Sequence, residues 1–281
     1  MGHLIRKRRP PQETDAEDAV VVGYPKSGNT WLRMLLGRYA QLLHQLPEMP
    51  LFDLVERGHP SYRGYPGPFF RFTHEPLEWR TQTAADLRRE NVIAPFAGRR
   101  VVLLTRYPLD VLVSLFMQQK YARNARPYPG GLEDLVDDPV YGLDKFVRFH
   151  RLWDEHASSA KAFLLVRYED ARRDTEATAG RMATFLGLPH DGKALAEAVA
   201  FASFDRMKEM QESGRVPTYP SSGLGVFGRI DPDEPRSRRV RSGKVGGYRA
   251  ELRPETCARL ERRIRDELPA RYGYADPPPL A

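Results

Sequence analysis

One segment near the start of the chain has the residue types and spacing of an anion-binding loop. Four apolar residues at 19–22 suit a buried strand, and the next segment, 23–31, reads GYPKSGNTW before a helical pattern resumes. The first turn of a helix has unpaired N–H groups and the positive end of the helix dipole. Lys26 adds a full positive charge. Together these groups predict a site for a phosphate or a sulfate.

The position of the lysine distinguishes this segment from a nucleotide-triphosphate loop. Gly23 and Gly28 have the glycine spacing of the G-x-x-x-x-G-K-[ST] motif, but Asn29 stands where that motif has its lysine. Lys26 lies inside the loop instead. The segment is therefore suited to phosphate but departs from the ATP and GTP pattern. The simpler alternative is a tight strand–helix turn with a solvated lysine.

A second phosphate could be held by Arg106 together with Ser114. The run 98–106, GRRVVLLTR, predicts a buried strand that ends in the arginine, and a helix is predicted to follow. Asp110 is predicted to cap this helix, and Ser114 lies in its second turn. A guanidinium at a strand end and a hydroxyl in the next helix can meet on one phosphate, which arginine binds through two N–H groups. In isolation, a surface arginine and a helix-facing serine remain the alternative.

His74 follows a short predicted strand at 69–74, FFRFTH. Catalytic residues of open α/β sheets gather beyond the carboxyl ends of the strands. A lone histidine is more often structural or merely exposed, so its position alone leaves both interpretations open.

Several segments, in order along the chain, resemble those of sulfotransferases that use 3′-phosphoadenosine 5′-phosphosulfate (PAPS). Segment 24–31 resembles the 5′-phosphosulfate loop of this family, usually YPKSGTTW, with Asn29 as a departure. Segment 106–114 resembles its 3′-phosphate motif, R-N-P-x-D-x-x-x-S. Segments 168–170 (YED) and 203–208 (SFDRMK) resemble family segments at the adenine, and 241–248 (RSGKVGGY) resembles one that closes on the 3′-phosphate.

This resemblance implies roles for individual residues. His74 aligns with the catalytic base of the family, and Lys26 would stabilise charge on the transferring sulfuryl group. Many members also have a lysine two residues before that histidine, where this chain has Phe72. Either Lys26 carries more of that charge, or a residue elsewhere substitutes. The residues implied to bind PAPS are Lys26, Ser27, Gly28, Asn29, Thr30, Trp31, Arg106, Ser114, Tyr168, Ser203, Phe204, Met207, Arg241, Ser242 and Gly243.

Alternating strands and helices must position these residues. A further strand is predicted at 162–170, and helices are predicted near 30–45, 143–156, 175–186, 194–202 and 254–268. This alternation predicts an α/β fold, in which a single domain has a mainly parallel central sheet flanked by helices and a P-loop-like strand–loop–helix. The domain is predicted to span 19–268, between a basic, disordered tail at 1–18 and a proline-rich tail at 269–281. The proline- and glycine-rich stretch 217–239 is predicted to be a mobile lid.

Composition limits the class of protein. The chain has 281 residues and a formal net charge of +7, which points to an anionic partner. A single cysteine, Cys257, excludes an intramolecular disulfide and favours a reducing compartment. No signal-peptide run or membrane-spanning stretch is evident, so a cytoplasmic location is predicted. No cluster with metal-ligand spacing is seen, and no metal is predicted.

The combined segments favour an enzyme that moves the sulfuryl group of PAPS to a hydroxyl or amine of a small-molecule acceptor. Aromatic and proline residues in 46–72, 121–142 and 209–237 suit a small alcohol, phenol or sugar of specialised metabolism, and no nucleic-acid partner is predicted. The acceptor and the oligomeric state do not follow from the sequence. One alternative is a small-molecule kinase with the same kind of loop. Another is an RNA-binding protein that uses the basic N-terminal tail and the arginine-rich stretch 236–241.

Overall fold

Four parallel strands form the central sheet of the protein. The computed structural model describes residues 19–55, 64–74, 78, 80–122, 127–216, 227 and 233–280. Within these ranges the strands are β1 (Ala19–Gly23), β2 (Phe70–Thr73), β3 (Arg100–Thr105) and β4 (Ala162–Arg167). They lie in the order β2-β1-β3-β4, and each neighbouring pair is parallel. Buried helices cover both faces, so the predicted α/β fold is confirmed.

The helices near 30–45, 143–156, 175–186, 194–202 and 254–268 occur as predicted, with ends shifted by a residue or two. Several short helices join them in the connections between strands. The α-helices of the described residues are α1 (Asn29–Leu43), α2 (Leu51–Leu54), α3 (Arg89–Val92), α4 (Pro108–Tyr121), α5 (Leu132–Leu135), α6 (Leu143–His156), α7 (Tyr168–Arg173), α8 (Thr175–Leu186), α9 (Gly192–Phe201), α10 (Phe204–Ser213) and α11 (Pro254–Glu267).

Strand β1 lies inside the sheet because it is apolar on both faces, and all five of its residues are buried. Ala19 pairs with Phe70 of β2 on one side and with Arg100 of β3 on the other. The chain therefore passes from β1 to β2 on one side of it, and then crosses to form β3 on the other side. Open α/β sheets bind ligands beyond the carboxyl ends of the strands at such a reversal. Gly23, the last residue of β1, lies at this point.

Alternate residues of β1 pack against different sets of helices. Val20 and Val22 lie in one apolar cluster with Phe146 of α6, whereas Val21 lies in the other with Leu35 of α1. Full burial of one such side chain contributes roughly 1.5–3 kcal/mol to folding. The strand is therefore anchored on both faces, and it holds in place the loop that follows it.

The strand predicted at 162–170 is shorter than expected. Strand β4 ends at Arg167, and Tyr168–Arg173 forms helix α7 instead. The ladder stops at the pair Thr105–Arg167 because β3 ends there. The Glu169 carboxylate then accepts the backbone N–H of Tyr107 at 2.7 Å, which joins the start of α7 to the turn after β3.

The segment predicted as a proline-rich tail packs against the domain. Tyr272 and Tyr274 are buried in the same cluster as α6 and α11. The Tyr272 hydroxyl donates to the carbonyl oxygen of His150 at 2.7 Å, and the Tyr274 hydroxyl donates to Glu169 at 2.9 Å. These contacts connect the end of the chain to α6 and to α7, the helix that begins with the YED segment.

Two predicted segments cannot be compared with the structure. The basic stretch 1–18 and most of the predicted lid, 217–226 and 228–232, lie outside the described residues. In the part that is described, no helix is long and apolar enough to cross a membrane. The same residues contain no group of three or more histidine, cysteine or acidic side chains that could hold a metal ion.

Candidate active site

The loop after β1 has a backbone shaped to face a ligand. Lys26 and Gly28 both adopt the left-handed region, with φ of 75° and 107°. A Cβ atom on Gly28 would lie 2.9 Å from the Tyr168 ring, so glycine is needed there. Helix α1 begins at Asn29 with no side-chain cap and no acidic residue in its first turn. Its first N–H groups are therefore available to an anion.

This loop opens into a cavity of about 560 Å³. Every predicted site residue lines the cavity except Ser27 and Ser203. The Ser27 side chain is fully buried, and its hydroxyl has no partner among the described residues. The Ser203 hydroxyl accepts the N–H of Arg206 at 3.5 Å and caps α10. The residues brought together are Lys26, Gly28, Asn29, Thr30, Trp31, His74, Arg106, Ser114, Tyr168, Phe204, Met207, Arg241, Ser242 and Gly243.

Lys26 is held beside other cations with no carboxylate paired to it among the described residues. The surrounding protein desolvates the ammonium, and Arg239, Arg106 and Arg241 repel it. These effects lower the pKa of Lys26 to about 7. An anion in the cavity would offset both effects, because its negative charge favours the charged form of the lysine.

His74 is oriented by the strand end beside it. Its Nδ1 lies 2.7 Å from the carbonyl oxygen of Gly23, which can only accept, so Nδ1 carries the proton. Nε2 is then the basic nitrogen of the neutral ring. Asn29 supports the same strand end, because its amide donates to the carbonyl oxygen of Thr73 at 3.4 Å. Burial lowers the pKa of His74, and the charge of Lys26 lowers it further. The imidazole is therefore neutral at neutral pH.

Arg106 projects from the end of β3 into the cavity. Its guanidinium lies 4.4 Å from the centre of the Tyr168 ring, and its Nη2 donates to the carbonyl oxygen of Lys244 at 3.1 Å. Its Nε is buried and has no partner among the described residues. Ser114 lies in α4, the helix that follows, and lines the same cavity. An arginine with an unused buried donor is suited to an anionic ligand.

Asp110 has a different role from the predicted one. Helix α4 begins after Tyr107 with no side-chain cap. The Asp110 carboxylate instead accepts the backbone N–H groups of Gly246 at 2.8 Å and Tyr248 at 3.1 Å. It thereby holds the segment 239–248, which we call the cationic loop. A carboxylate buried away from solvent needs hydrogen-bond donors, and these two N–H groups supply them.

Two more side chains hold the cationic loop. The side-chain Oε1 of Gln211 accepts the backbone N–H groups of Arg239 at 2.9 Å and Val240 at 3.0 Å. The Tyr168 hydroxyl donates to the carbonyl oxygen of Gly243 at 3.3 Å. The loop is therefore fixed from α10, α7 and α4, and its cations are placed before any ligand arrives. One of them, Arg241, forms an ion pair with Glu251 at 3.1 Å.

Aromatic side chains form another part of the cavity wall. The Trp31 indole donates to the carbonyl oxygen of Ala202 at 2.9 Å, and its ring meets Tyr168 edge-on at a centroid distance of 5.6 Å. Phe204 lies against Gly243, where a Cβ atom would come within 2.6 Å of the ring. Such a wall suits a flat, partly apolar group next to the cations.

Sequence reasoning missed several residues of the cavity. Arg239 is the most informative, because the arginine-rich stretch indicated cations in this region without showing which one faces the site. Gln118 and Arg172 belong to no motif that the sequence showed. The wall also includes Arg80, Asp110, Val113, Val240, Lys244, Gly247, Tyr248, Ala250, Glu251 and Leu280.

Comparisons with known proteins agree with this geometry. The model of the sulfotransferase domain family matches residues 16–271. Cytosolic sulfotransferase 17 of Arabidopsis thaliana is 25% identical over 259 residues, which cover 87% of this chain and 72% of the relative. Cytosolic sulfotransferase 15 of the same plant is 28% identical over 285 residues, with 89% and 72% covered.

Solved structures show the same fold. Mouse sulfotransferase SULT7A1 complexed with PAP, the desulfated form of PAPS, superposes with a TM-score of 0.64 at 18% identity and covers 92% of this chain and 86% of its own. Retinol dehydratase in complex with androsterone and inactive cofactor PAP gives 0.61 at 17% identity, with 89% and 80% covered. Because the family model spans most of its length, this chain belongs to the sulfotransferase family, as a PAPS-dependent enzyme of the cytosolic type.

Proposed function

We propose that this enzyme transfers the sulfuryl group in line from PAPS to a hydroxyl or amine of a small molecule, with His74 as the general base. The observation that carries the proposal is the state of the histidine. Its Nδ1 proton is committed to the carbonyl oxygen of Gly23, its ring is neutral at neutral pH, and it shares a cavity with Lys26. A neutral imidazole with one basic nitrogen facing a substrate is a competent base.

The cavity has the donors that PAPS requires. The 5′ end would lie on the loop N–H groups and Lys26, because both are unpaired. The 3′-phosphate would be held by Arg106, Ser114 and Arg241, and the unused Nε of Arg106 supports this. The adenine would lie against the aromatic wall formed by Trp31, Tyr168, Phe204 and Met207. No residue in this assignment calls for a metal ion.

Bound PAPS would supply a sulfuryl group whose S–O bond to the 5′-phosphate breaks as the acceptor oxygen or nitrogen bonds to sulfur. His74 takes the proton of the acceptor, so its Nε2 becomes an N–H. Lys26 and the loop N–H groups stabilise the negative charge that develops on the phosphate oxygen left behind. The positions of these donors are set before reaction, so little reorganisation is needed.

The acceptor is proposed to be a small alcohol, phenol or sugar, and the enzyme is proposed to act in the cytoplasm. The relatives named above support both statements. One of the solved structures with this fold holds androsterone, which carries a hydroxyl, and the related Arabidopsis thaliana proteins are named as cytosolic. The wide cavity and its apolar wall are compatible with such acceptors.

Replacement of His74 by alanine tests this function. We expect PAP to bind as in the wild type, while PAP release from PAPS with a panel of phenols and alcohols falls about 10²–10⁴-fold, the usual contribution of a positioned base. His190→Ala is the matched control, because that histidine is exposed and does not line the cavity. Turnover retained by His74→Ala would exclude His74 as the base. Phosphoryl transfer from ATP without binding of PAP would favour the kinase alternative.

A further inference from the structure

Arg239 is a cavity cation that no described carboxylate neutralises and that lies outside the segments resembling the family motifs. Arg239 lines the cavity, yet no described acceptor binds its guanidinium and no described carboxylate pairs with it. Its neighbours are paired in contrast: Arg238 bonds to Glu212 at 3.0 Å, and Arg241 to Glu251 at 3.1 Å. An unpaired guanidinium on a cavity wall points to a negatively charged ligand group.

The backbone of Arg239 is held in a built position. Gln211, itself buried, accepts the N–H groups of Arg239 and Val240 and donates to the carbonyl oxygen of Val240 at 3.2 Å. A side-chain amide that makes three bonds to two adjacent residues fixes both of them. The backbone of Arg239 is therefore fixed, while its side chain is exposed at the cavity wall.

Arg239 shares one cavity with Lys26 and His74, the groups at the two reacting ends of the proposed transfer. Its charge lowers the pKa of Lys26, which faces the leaving phosphate in the proposed reaction. It also lowers the pKa of His74, which faces the acceptor. The group that lies between a leaving phosphate and an acceptor in an in-line transfer is the transferring sulfuryl.

We propose that Arg239 is a catalytic residue that binds the oxygens of the transferring sulfuryl group. It thereby replaces the cation absent from position 72, where Phe72 is buried in the apolar cluster with Phe70. This proposal rests on the proposed sulfuryl transfer. Charge shifts from the sulfuryl toward the leaving phosphate as the bond breaks, and a guanidinium on the sulfuryl oxygens holds the group in line with the acceptor.

Comparison of PAPS with PAP isolates this contact, because PAP lacks only the sulfuryl group. In Arg239→Met, we expect PAP to bind within about threefold of wild type, while PAPS binds roughly 10–100-fold more weakly, the loss for one charge-assisted hydrogen bond. The rate at which PAP is released from PAPS, with para-nitrophenol or another phenol as acceptor, should fall by at least the same factor. Arg239→Lys should recover part of both losses, since lysine restores the charge but not the fork of donors.

The control variant is Arg238→Gln, which removes a neighbouring positive charge outside the cavity and should leave both affinities unchanged. Equal weakening of PAP and PAPS by Arg239→Met would make Arg239 a phosphate ligand and overturn the proposal. Unchanged PAPS affinity and turnover would overturn it as well. Failure of the wild type to bind PAP would instead reject the proposed function, so the two failures are distinguishable.

Discussion

Lys26 gives the sharpest physical prediction, because its charge state should change when the nucleotide binds. In the free protein its pKa is lowered to about 7 by desolvation and by the neighbouring arginines. The phosphates of PAP favour the charged ammonium and should return this pKa to about 10 or above, near its value in water. Binding should therefore draw a proton from solution wherever the free lysine is neutral.

The magnitude follows from the titration. At pH 8 a group with a pKa of about 7 is roughly one-tenth protonated, so complete protonation on binding takes up about 0.9 proton per PAP. The same linkage predicts that the dissociation constant of PAP rises about tenfold per pH unit above pH 7, since each pKa unit is about 1.4 kcal/mol. At pH 8 the phosphate groups, with a second pKa near 6, are almost fully ionised and add almost nothing to the proton uptake.

Calorimetric titration in buffers of different ionisation enthalpy measures this uptake directly. Lys26→Arg is the matched control, because arginine keeps the positive charge but does not titrate in this range. It should bind PAP with almost no proton uptake and with little dependence on pH. Uptake close to zero in the wild type, or equal uptake in Lys26→Arg, would refute the assignment of a neutral Lys26 next to the nucleotide.

Two further changes test the 3′-phosphate site. Arg106→Ala should weaken the binding of PAP by roughly tenfold or more and that of adenosine 5′-phosphate by less, because the lost charge-assisted contact is made only to the 3′-phosphate. Equal losses of affinity for the two nucleotides in equilibrium titrations would reject the assignment. Glu251→Gln should lower the dissociation constant of PAP by about two- to fivefold, because Arg241 is released from a partly exposed ion pair that contributes about 0.2–1 kcal/mol. Weaker binding in the same titration would show that the pair instead supports the site.

Local sequence signals were sufficient for the sheet and the first loop. The run 19–22 is apolar at every position, as a strand buried on both faces requires, and glycine and proline then force a turn. The same holds for β3, which ends one residue before Arg106, and for α4, which carries Ser114. Arg106 and Ser114 are close along the chain, so their spacing alone brings them to the same cavity.

Side chains with distant partners were beyond local reasoning. Asp110 looked like a helix cap, but its partners Gly246 and Tyr248 lie far along the chain, and burial makes those N–H groups the better donors. Gln211 and Arg239 are linked in the same way, so neither could be recognised from its neighbours. Ser203 was placed at the ligand because its segment matched, whereas its hydroxyl caps α10.

The final segment shows the limit of composition as a guide. Its prolines led to the prediction of a tail beyond the domain, and two tyrosines in it fill space beside His150 and Glu169. Buried tyrosine rings with bonded hydroxyls anchor a chain even where it forms no long helix or strand. A truncation at Leu268 would therefore remove part of the core.

A crystal structure of the enzyme with PAP is the most direct test of the central claim, that one cavity beyond β1 holds PAPS for transfer. We expect the 5′-phosphate at Lys26 and the first turn of α1, and the 3′-phosphate within hydrogen-bond distance of Arg106. We also expect His74 to remain free to meet an acceptor. A nucleotide bound elsewhere, or bound here with its 3′-phosphate away from Arg106, would contradict the account.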